Sequence, residues 1–232
     1  GRPLWAIGQA DMVFEMPVSP DGITRMMAIF QCTAPKELGS IRSARADFIP
    51  LAQGLDVILV HWGGEQDALD SLNRGVIDNI DALKYEGTTF YRKSSIPRPH
   101  NGFTSSDLLT SRIEKLAYRA TTSLDPYLHS TKSADRNLGS LASTIEVAWP
   151  KGMNVRFTYD ASSNTYLRSR GGTPEYDAQT NTQVRASVVI LMKTTATFLR
   201  DQYIRVATIG SGEATLWQAG RRIEGLWKKN RA

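Results

Sequence analysis

The sequence has little cysteine and no long apolar run. One cysteine, Cys32, stands among 232 residues, so the chain has no intramolecular disulfide framework and no multi-cysteine metal site. We interpret Cys32 as a buried, inert thiol because it ends an apolar strand pattern. No stretch approaches 18 consecutive apolar residues, so no segment is predicted to span a membrane. With 41% hydrophobic and 22% charged residues, the composition excludes global disorder.

Several motifs of enzymes and cofactor-binding proteins are also absent. The sequence contains no Walker phosphate loop, no His-Glu-x-x-His zinc helix and no Gly-x-Ser-x-Gly nucleophile elbow. The tripeptide Gly210-Ser211-Gly212 lacks the third glycine of a dinucleotide fingerprint. We therefore assign no cofactor, no metal and no catalytic residue from the sequence.

Basic residues are in excess, but no run of five occurs. The net charge is +5; residues 1–120 carry 13 basic and 14 acidic residues, and residues 121–232 carry 15 and 9. Without an RNA-binding aromatic signature, nucleic acid is not an expected partner. The basic excess predicts a surface that lies against anionic lipid or wall polymer, or else a solvated surface without a partner. The candidate residues are Arg168, Arg170, Arg185, Arg221, Arg222, Lys228 and Lys229.

Strand and helix patterns alternate in the first half. Residues 11–18 and 23–30 predict a hairpin, because Pro20-Asp21-Gly22 between them is a turn sequence. Further along, the patterns predict a helix over 43–53, a buried strand over 56–60, a helix over 65–74 and a helix from 104–106 to about 120. Pro50 lies inside the first of these helices, where it should kink or shorten the helix. Residues 84–103 show no period and predict a long loop.

The second half has mostly strand patterns. Strands are predicted over 144–149, 155–159, 165–169, 184–193, 203–208, 213–217 and 222–227, the last two as a hairpin around Ala219-Gly220. Residues 123–140 are polar and predict a linker, in which His129 is taken as a surface residue. The fold class is therefore α+β: an α/β domain with a mixed sheet over residues 1–137, followed by a mainly β, basic domain over residues 138–232.

Two arginines three residues apart, Arg42 and Arg45, are the first candidate for a binding site. They fall at the start of the helix predicted over 43–53, where orphan N–H groups and the helix dipole favour anions. Two guanidinium groups there suit a phosphate or a carboxylate. The alternative is that both arginines pair with acidic residues of the same domain and hold the loop.

A second candidate is the tetrapeptide His61-Trp62-Gly63-Gly64, which follows the predicted buried strand. Ligands bind beyond the carboxyl ends of strands in open α/β sheets. Histidine is the side chain that ordinarily changes charge near neutral pH, and Gly63 and Gly64 let the backbone approach a ligand. The alternative is a structural histidine before a helix. His100 and Asn101, in the predicted loop, join this site if the loop folds over the sheet edge.

The predicted hairpin supplies two carboxylates and an arginine: Asp11, Glu15 and Arg25. Asp11 and Glu15 are four residues apart on one strand and therefore share a face. The pattern favours an ion network, and it also allows an acid/base pair or half of a divalent-metal site.

These motifs, in this order, resemble the YerB-type bacterial lipoproteins, a family with a two-part domain of unknown function. The resemblance covers nearly the whole chain. It is carried by Gln9-Ala10-Asp11-Met12-Val13-Phe14-Glu15, Gly22-Ile23-Thr24-Arg25, Ile41-Arg42-Ser43-Ala44-Arg45, His61-Trp62-Gly63-Gly64 and His100-Asn101, and more loosely by Tyr166-x-Arg168, Gly172, Asp177 and Gly225-x-Trp227-Lys228. It implies an extracytoplasmic bacterial protein tethered to the membrane through a lipidated cysteine upstream of Gly1. It implies no established activity.

The leading functional hypothesis is a cell-envelope binding module for an anionic or glycan-type ligand. The alternatives are a hydrolase or transferase on cell-wall material and a structural protein. The binding hypothesis expects residues from several elements to converge on one site. The predicted ligand-binding residues are Asp11, Glu15, Arg25, Arg42, Arg45, His61, Gly63, Gly64, His100 and Asn101.

Overall fold

A computed structural model describes residues 2–122, 138–200 and 202–231. The strands of the first half are β1 (Met12–Pro17), β2 (Thr24–Ile29), β3 (Leu38–Gly39), β4 (Leu59–His61), β5 (Asn79–Asp81), β6 (Tyr91–Arg92) and β7 (Gly102–Thr104). Its α-helices are α1 (Ile49–Gly54), α2 (Gln66–Asn73), α3 (Ala82–Tyr85) and α4 (Ser106–Lys115), and short 3₁₀ turns lie at Ile7–Gln9 and Ala46–Phe48. Among the described helices none is long and apolar enough to cross a membrane.

Strands dominate the second half, as predicted. They are β8 (Ser140–Leu141), β9 (Thr144–Val147), β10 (Val155–Asp160), β11 (Thr165–Arg170), β12 (Thr173–Pro174), β13 (Tyr176–Asp177), β14 (Thr182–Gln183), β15 (Arg185–Ala186), β16 (Val188–Met192), β17 (Ala196–Arg200), β18 (Tyr203–Val206), β19 (Gly210–Gln218) and β20 (Arg221–Lys229), with a 3₁₀ turn at Pro150–Gly152. The α+β fold class is confirmed.

The two hairpins predicted from turn sequences are both present. Strands β1 and β2 pair antiparallel, with Met16 opposite Arg25, and Gly22 takes the left-handed conformation in the turn. Strands β19 and β20 pair over their full length through Ala219 and Gly220, both at positive φ. Two residues with positive φ form the tight turn that matches the twist of a hairpin.

The helix predicted over 43–53 starts later than expected. A 3₁₀ turn at Ala46–Phe48 precedes α1, and Pro50 is the second residue of that helix. Proline is tolerated in a first turn because its missing N–H has no intrahelical acceptor there. Arg42 and Arg45 therefore lie in extended chain before the helix, and the prediction of a helix start at these arginines is wrong.

Two further expectations for the first half need correction. The strand predicted over 56–60 forms only at Leu59–His61, where β4 pairs parallel with β5. The loop predicted over 84–103 contains the end of α3 and all of β6, and β6 joins the sheet of order β3-β7-β6. In that sheet Gly39 lies against the Phe103 ring and leaves no room for a side chain.

The described sheets of the second half are antiparallel. Strands β12-β11-β10-β9 form one sheet, with β15 also paired to β11, and β16-β19-β20-β8 form another. The segment predicted as one strand over 184–193 is divided between these two sheets as β15 and β16. Strand β17 was not predicted; within the described residues it pairs with β18 alone, as a separate two-stranded sheet.

The two halves of the chain pack against each other. Val206 of β18 is buried in the core formed by Met16, Met27, Phe48 and other residues of the first half. Conversely, the N-terminal segment packs on the second half: Asp177 accepts hydrogen bonds from the backbone N–H groups of Ala6 (3.1 Å) and Gly8 (2.8 Å). The linker predicted over 123–140 falls mostly on residues outside the described part of the chain, as does His129.

Replacing Asp177 tests this attachment. The side chain is 0% exposed and also accepts from the N–H of Gln179 at 2.9 Å. We expect Asp177→Ala to lower the free energy of unfolding by about 3 kcal/mol or more, because three N–H groups lose their acceptor. Asp160→Ala is the control, since Asp160 accepts from Ser162 and Ser163 in an exposed turn. Urea denaturation measures both; equal losses would contradict a special role for Asp177.

Candidate functional site

Arg25 is directed inward by the register of the first hairpin. Directly opposed residues of an antiparallel pair have their side chains on the same face. Arg25 lies opposite Met16, which is buried in the first core. The arginine therefore points to the buried face of β2 and is itself half-buried.

Arg42 and Arg45 are held in place by the predicted His61-Trp62-Gly63-Gly64 motif. The N–H of Trp62 donates to the carbonyl of Arg42 at 3.0 Å, and the N–H of Ala44 donates to the carbonyl of Gly63 at 2.9 Å. Gly64 approaches Ala44 so closely that an added Cβ would lie 3.2 Å from the Ala44 Cβ. The glycines of this motif thus allow the arginine segment to lie directly against it.

The charges of three arginines act on one another here; we call Arg25, Arg42 and Arg45 the arginine cluster. Burial first, and then the charges of Arg42 and Arg45, lower the pKa of Arg25 to about 10. Burial and the charge of Arg45 also lower the pKa of Arg42. Among the described residues no carboxylate lies within 4.0 Å of the guanidinium of Arg25 or Arg42. The Nε of Arg25 is buried and has no hydrogen-bond partner in the described structure.

His100 lies at the edge of the arginine cluster. The Nη1 of Arg42 donates to the carbonyl of Pro99 at 2.7 Å and lies 3.4 Å from the Nδ1 of His100. Burial, followed by the charges of Arg42 and Arg25, lowers the pKa of His100 below its ordinary value. The loop is anchored by Asn101, whose Oδ1 accepts from Arg92 at 3.0 Å. The structure therefore brings the loop histidine to Arg42 and not to His61.

The second half contributes a residue that the sequence did not reveal. The guanidinium carbon of Arg45 lies 5.2 Å from the ring centre of Tyr203, a cation–π distance. Arg45 also approaches Glu65 (3.8 Å), which is shared with Arg205 at the same distance. No local pattern marks Tyr203, because it reaches the cluster only through the packing of β18 on the first half.

Glu15 lies on the other face of the hairpin, since it opposes Met26. Its carboxylate pairs with Arg168 at 3.0 Å and with Arg170 at 3.3 Å, and it accepts from the Thr24 hydroxyl at 2.7 Å. The expected network of Asp11, Glu15 and Arg25 does not form: Glu15 pairs with cations of the second half and not with Arg25.

Because of this Glu15 network, two residues of the predicted basic surface lie inside the protein. Arg168 is 3% exposed and also pairs with Glu175 at 2.6 Å, so it pairs with one buried and one partly buried carboxylate. Burial alone would raise the pKa of Glu175, but Arg168 and Arg2 together lower it. Arg168 and Arg170 were expected on the basic surface, but they are not surface residues. They connect the two halves through Glu15.

Asp11 lies at an exposed end of the hairpin. Its Oδ2 accepts from the backbone N–H of Gln31 (2.7 Å) and Cys32 (3.0 Å), and these two bonds lower its pKa. Cys32 is exposed, so the prediction of a buried thiol is wrong. The charge of Asp11 raises the pKa of this thiol.

His61 is enclosed within the first half and is 2% exposed. Its Nδ1 lies 2.8 Å from the carbonyl of Gly63 and 3.8 Å from Asp81, and its Nε2 lies 3.2 Å from the Oδ1 of Asn79. Asp81 in turn accepts from the N–H of Gly63 at 2.8 Å. All polar atoms of the ring thus face protein groups that shape the turn holding Arg42.

The ten predicted ligand-binding residues therefore fall into groups according to the residues that they contact. Arg25, Arg42, Arg45 and His100 come together, and His61, Gly63, Gly64 and Asn101 support the segments that carry them. Asp11 and Glu15 lie in separate hydrogen-bond networks, so the four residues of the hydrolase hypothesis, Asp11, Glu15, His61 and His100, do not form one group. In the part of the chain that the structure describes, no three His, Cys, Asp or Glu side chains are grouped to hold a metal ion.

Comparison with known proteins agrees with the resemblance found in the sequence. Residues 1–119 match the N-terminal domain, and residues 145–232 the C-terminal domain, of a protein of unknown function (DUF3048). The chain belongs to the DUF3048 family. It is 30% identical over 230 residues to the Bacillus subtilis (strain 168) protein named "Putative lipoprotein YerB", a match that covers 98% of this chain and 69% of that protein.

The fold is also similar to a solved structure. The crystal structure of YerB protein from Bacillus subtilis superposes with a TM-score of 0.87 at 29% identity, covering 98% of this chain and 77% of that chain. The expected two-part family is therefore confirmed. The ligand-binding role of the predicted residues stays a prediction.

The environment of His61 predicts that its replacement affects stability and not binding. We expect His61→Ala to lower the free energy of unfolding by about 2–3 kcal/mol, because it leaves a cavity and unpaired polar groups. Any affinity for sulfate that the unmodified protein shows should be retained by the folded variant. Urea denaturation and calorimetry with sulfate measure the two effects. A variant that keeps its stability and loses sulfate binding would show that His61 contacts the ligand.

Proposed function

We propose that this DUF3048 protein binds an anionic group of a cell-envelope ligand, and that the arginine cluster is the binding site. Arg25, Arg42 and Arg45 would receive a phosphate or carboxylate, free or carried on a wall glycan. Tyr203 and His100 border the site. Binding, and not turnover, is proposed, because the cluster offers guanidinium donors and a histidine but no activated nucleophile.

The observation that carries this proposal is the unpaired state of Arg25. Its Nε is buried without a partner in the described structure, and the charges of Arg42 and Arg45 lower its pKa. Burying a guanidinium beside like charges is costly unless an anion neutralises it. A phosphate or carboxylate between the three groups would supply both the missing acceptor and the missing negative charge.

The alternative hypothesis was that Arg42 and Arg45 pair with acidic residues of the same domain. It holds only in part, and only for Arg45. Arg45 has Glu65 at 3.8 Å, but the Oε1 of Glu65 also accepts from the N–H of Ala46 at 2.8 Å. Glu65 additionally approaches Arg205. One shared carboxylate does not balance three guanidinium groups, so the cluster retains an excess positive charge.

The family supports an envelope setting for this ligand. A relative is named as a lipoprotein, and bacterial lipoproteins are tethered outside the cytoplasm. We propose the same location for this protein, through a lipid anchor upstream of Gly1. Anionic polymers and phosphate-bearing glycans of the envelope would then be within reach of the arginine cluster.

Replacing Arg42 tests the site directly. We expect Arg42→Ala to weaken the binding of inorganic phosphate by about 10- to 100-fold, because it removes charge-assisted hydrogen bonds. The variant should remain folded, because removing the Arg42 guanidinium also removes its electrostatic repulsion with Arg45. Isothermal titration calorimetry measures the affinity, and circular dichroism checks the fold.

Arg156→Ala is the matched control for this experiment. Arg156 is an exposed arginine on β10 whose partner is Glu146, so the substitution removes the same charge away from the cluster. Its phosphate affinity should equal that of the unmodified protein. Equal affinities of Arg42→Ala and Arg156→Ala would reject the cluster as the site, and an unfolded Arg42→Ala would show that the arginine is structural.

The lowered pKa of His100 predicts that anion affinity rises as the pH falls. In the free protein His100 stays neutral to below its ordinary pKa of 6.5, because protonation would add a charge beside Arg42 and Arg25. A bound anion neutralises these charges and raises the pKa of His100, so the bound state takes up a proton. Affinity should therefore increase from about pH 7 downward and level off once the free protein is protonated too.

Sulfate is the appropriate probe because it stays doubly charged over this range. Calorimetry between pH 8 and pH 5 should show the increase for the unmodified protein and a flat profile for His100→Gln. A His100→Gln variant that retained the full pH dependence would mean that another group takes up the proton.

A further inference from the structure

One face of the sheet of order β16-β19-β20-β8 is apolar and open to solvent. Opposed residues of antiparallel strands have their side chains on the same face. The register therefore places six residues of three strands in two rows: Ile190, Leu216 and Ile223 in one, and Met192, Ala214 and Gly225 in the next. We call these six residues the apolar face. Ile190 is 56% and Met192 41% exposed.

The opposite face of the same sheet is already covered. Val189, Leu191 and Trp217 alternate with residues of the apolar face and pack with Ile145 and Tyr166 in a core of the second half. An antiparallel sheet with one face on the core commonly presents polar side chains on the other face. Here the other face is apolar, and none of its six residues belongs to a core cluster in the described part of the chain.

The two rows of the apolar face differ in height. The first row is a ridge, because it carries a large side chain on each of three strands. The second row is a hollow at two positions, since Ala214 has only a methyl group and Gly225 has no side chain. A Cβ added at Gly225 would meet no heavy atom within 4 Å. A ridge beside a hollow gives the face a shape that can fit its own copy.

We propose that two copies of this protein associate through the apolar face about a two-fold axis. An axis that runs between the two rows and parallel to them lays each row of one copy over the other row of the second copy. Leu216 then lies over Ala214 of the other copy, and Ile223 fills the open space at Gly225. The large side chains of each copy thus meet the small ones of the other.

The chemistry of the apolar face favours a second copy over a polar or anionic partner. The two rows contain no charged or hydrogen-bonding side chain, so they offer such a partner nothing to bind. The outer strand tolerates the remaining contact, in which Ile190 meets Met192 of the other copy, because a methionine side chain adapts its shape. No residue of the apolar face belongs to the arginine cluster, so this inference is independent of the proposed function.

The size of the apolar face predicts a weak dimer. Strands lie about 4.8 Å apart and rise about 3.4 Å per residue, so the two rows with their side chains cover on the order of 300 Å². Val188 (38% exposed) and Leu141 (80% exposed) extend the same face beyond the ridge. Stable interfaces bury about 800 Å² on each partner. The dimer is therefore expected to have a Kd on the order of 10–100 µM.

The first test compares two variants that differ in the face of the sheet they change. Ile190→Asn sets an amide without a hydrogen-bond partner against Met192 of the other copy, twice in each dimer. Leu226→Asn is the matched control, since Leu226 is 83% exposed on the opposite face of the same sheet. Sedimentation equilibrium from about 1 to about 500 µM should show dimerisation at least about tenfold weaker for Ile190→Asn and unchanged for Leu226→Asn.

Gly225→Val distinguishes the fitted dimer from general surface stickiness. The added side chain enters open space in the single copy, and valine suits a strand, so the variant should fold normally. An added apolar group would strengthen non-specific association. In the proposed dimer it occupies the space that Ile223 of the other copy fills, so dimerisation should weaken by at least about tenfold. Thermal unfolding checks that all three variants are folded.

Four outcomes would overturn this inference. They are a monomer over the whole concentration range, a Leu226→Asn variant that loses as much association as Ile190→Asn, tighter association of Gly225→Val, and species larger than a dimer. Should Ile190→Asn fail to fold, Gly225→Val decides alone. Phosphate binding should be the same in all folded variants, so a failure of the dimer and a failure of the arginine cluster are seen separately.

Discussion

Arg168 lies almost fully buried between two carboxylates, Glu15 of the first hairpin and Glu175 of the second half. Removing either carboxylate would leave a buried guanidinium undercompensated, and removing the guanidinium would leave two buried negative charges. The contact therefore requires both halves to be in place at once. Arg170 and Arg2 extend the same network. Together with the Asp177 hydrogen bonds and the packing of Val206, this network fixes how the two halves meet.

The same junction makes the arginine cluster. Arg25 reaches it from β2, Arg42 and Arg45 from the segment held by the turn at Gly63, and Tyr203 from the second half. The cluster differs from Arg168 in its compensating charge. Arg168 has two carboxylate partners, whereas within the cluster only Arg45 approaches a carboxylate, that of Glu65. A protein interior compensates charge wherever it is structural. We therefore propose that an external anion binds at the uncompensated cluster.

Much of the local structure follows from short patterns. Pro20-Asp21-Gly22 and Ala219-Gly220 place two hairpins correctly, because few residues adopt the dihedral angles of such turns. Ser105 caps α4 through its hydroxyl, which accepts from the N–H of Leu108 at 3.2 Å. Pro50 was the exception. It lies in the first turn of α1, so the helix begins later than predicted and does not include Arg42 and Arg45.

Residue types and spacings by themselves determined the family, the α+β class, the turns and the arginines that come together. They could not determine the partner of Glu15, which is 153 residues away in the chain at Arg168, nor the inward direction of His61. Pairing register decided which face of the hairpin carries Glu15 and which carries Arg25, since one residue of shift exchanges the two faces. Long-range packing alone brought Tyr203 to Arg45, because no local propensity encodes a contact between segments that meet only in the folded chain.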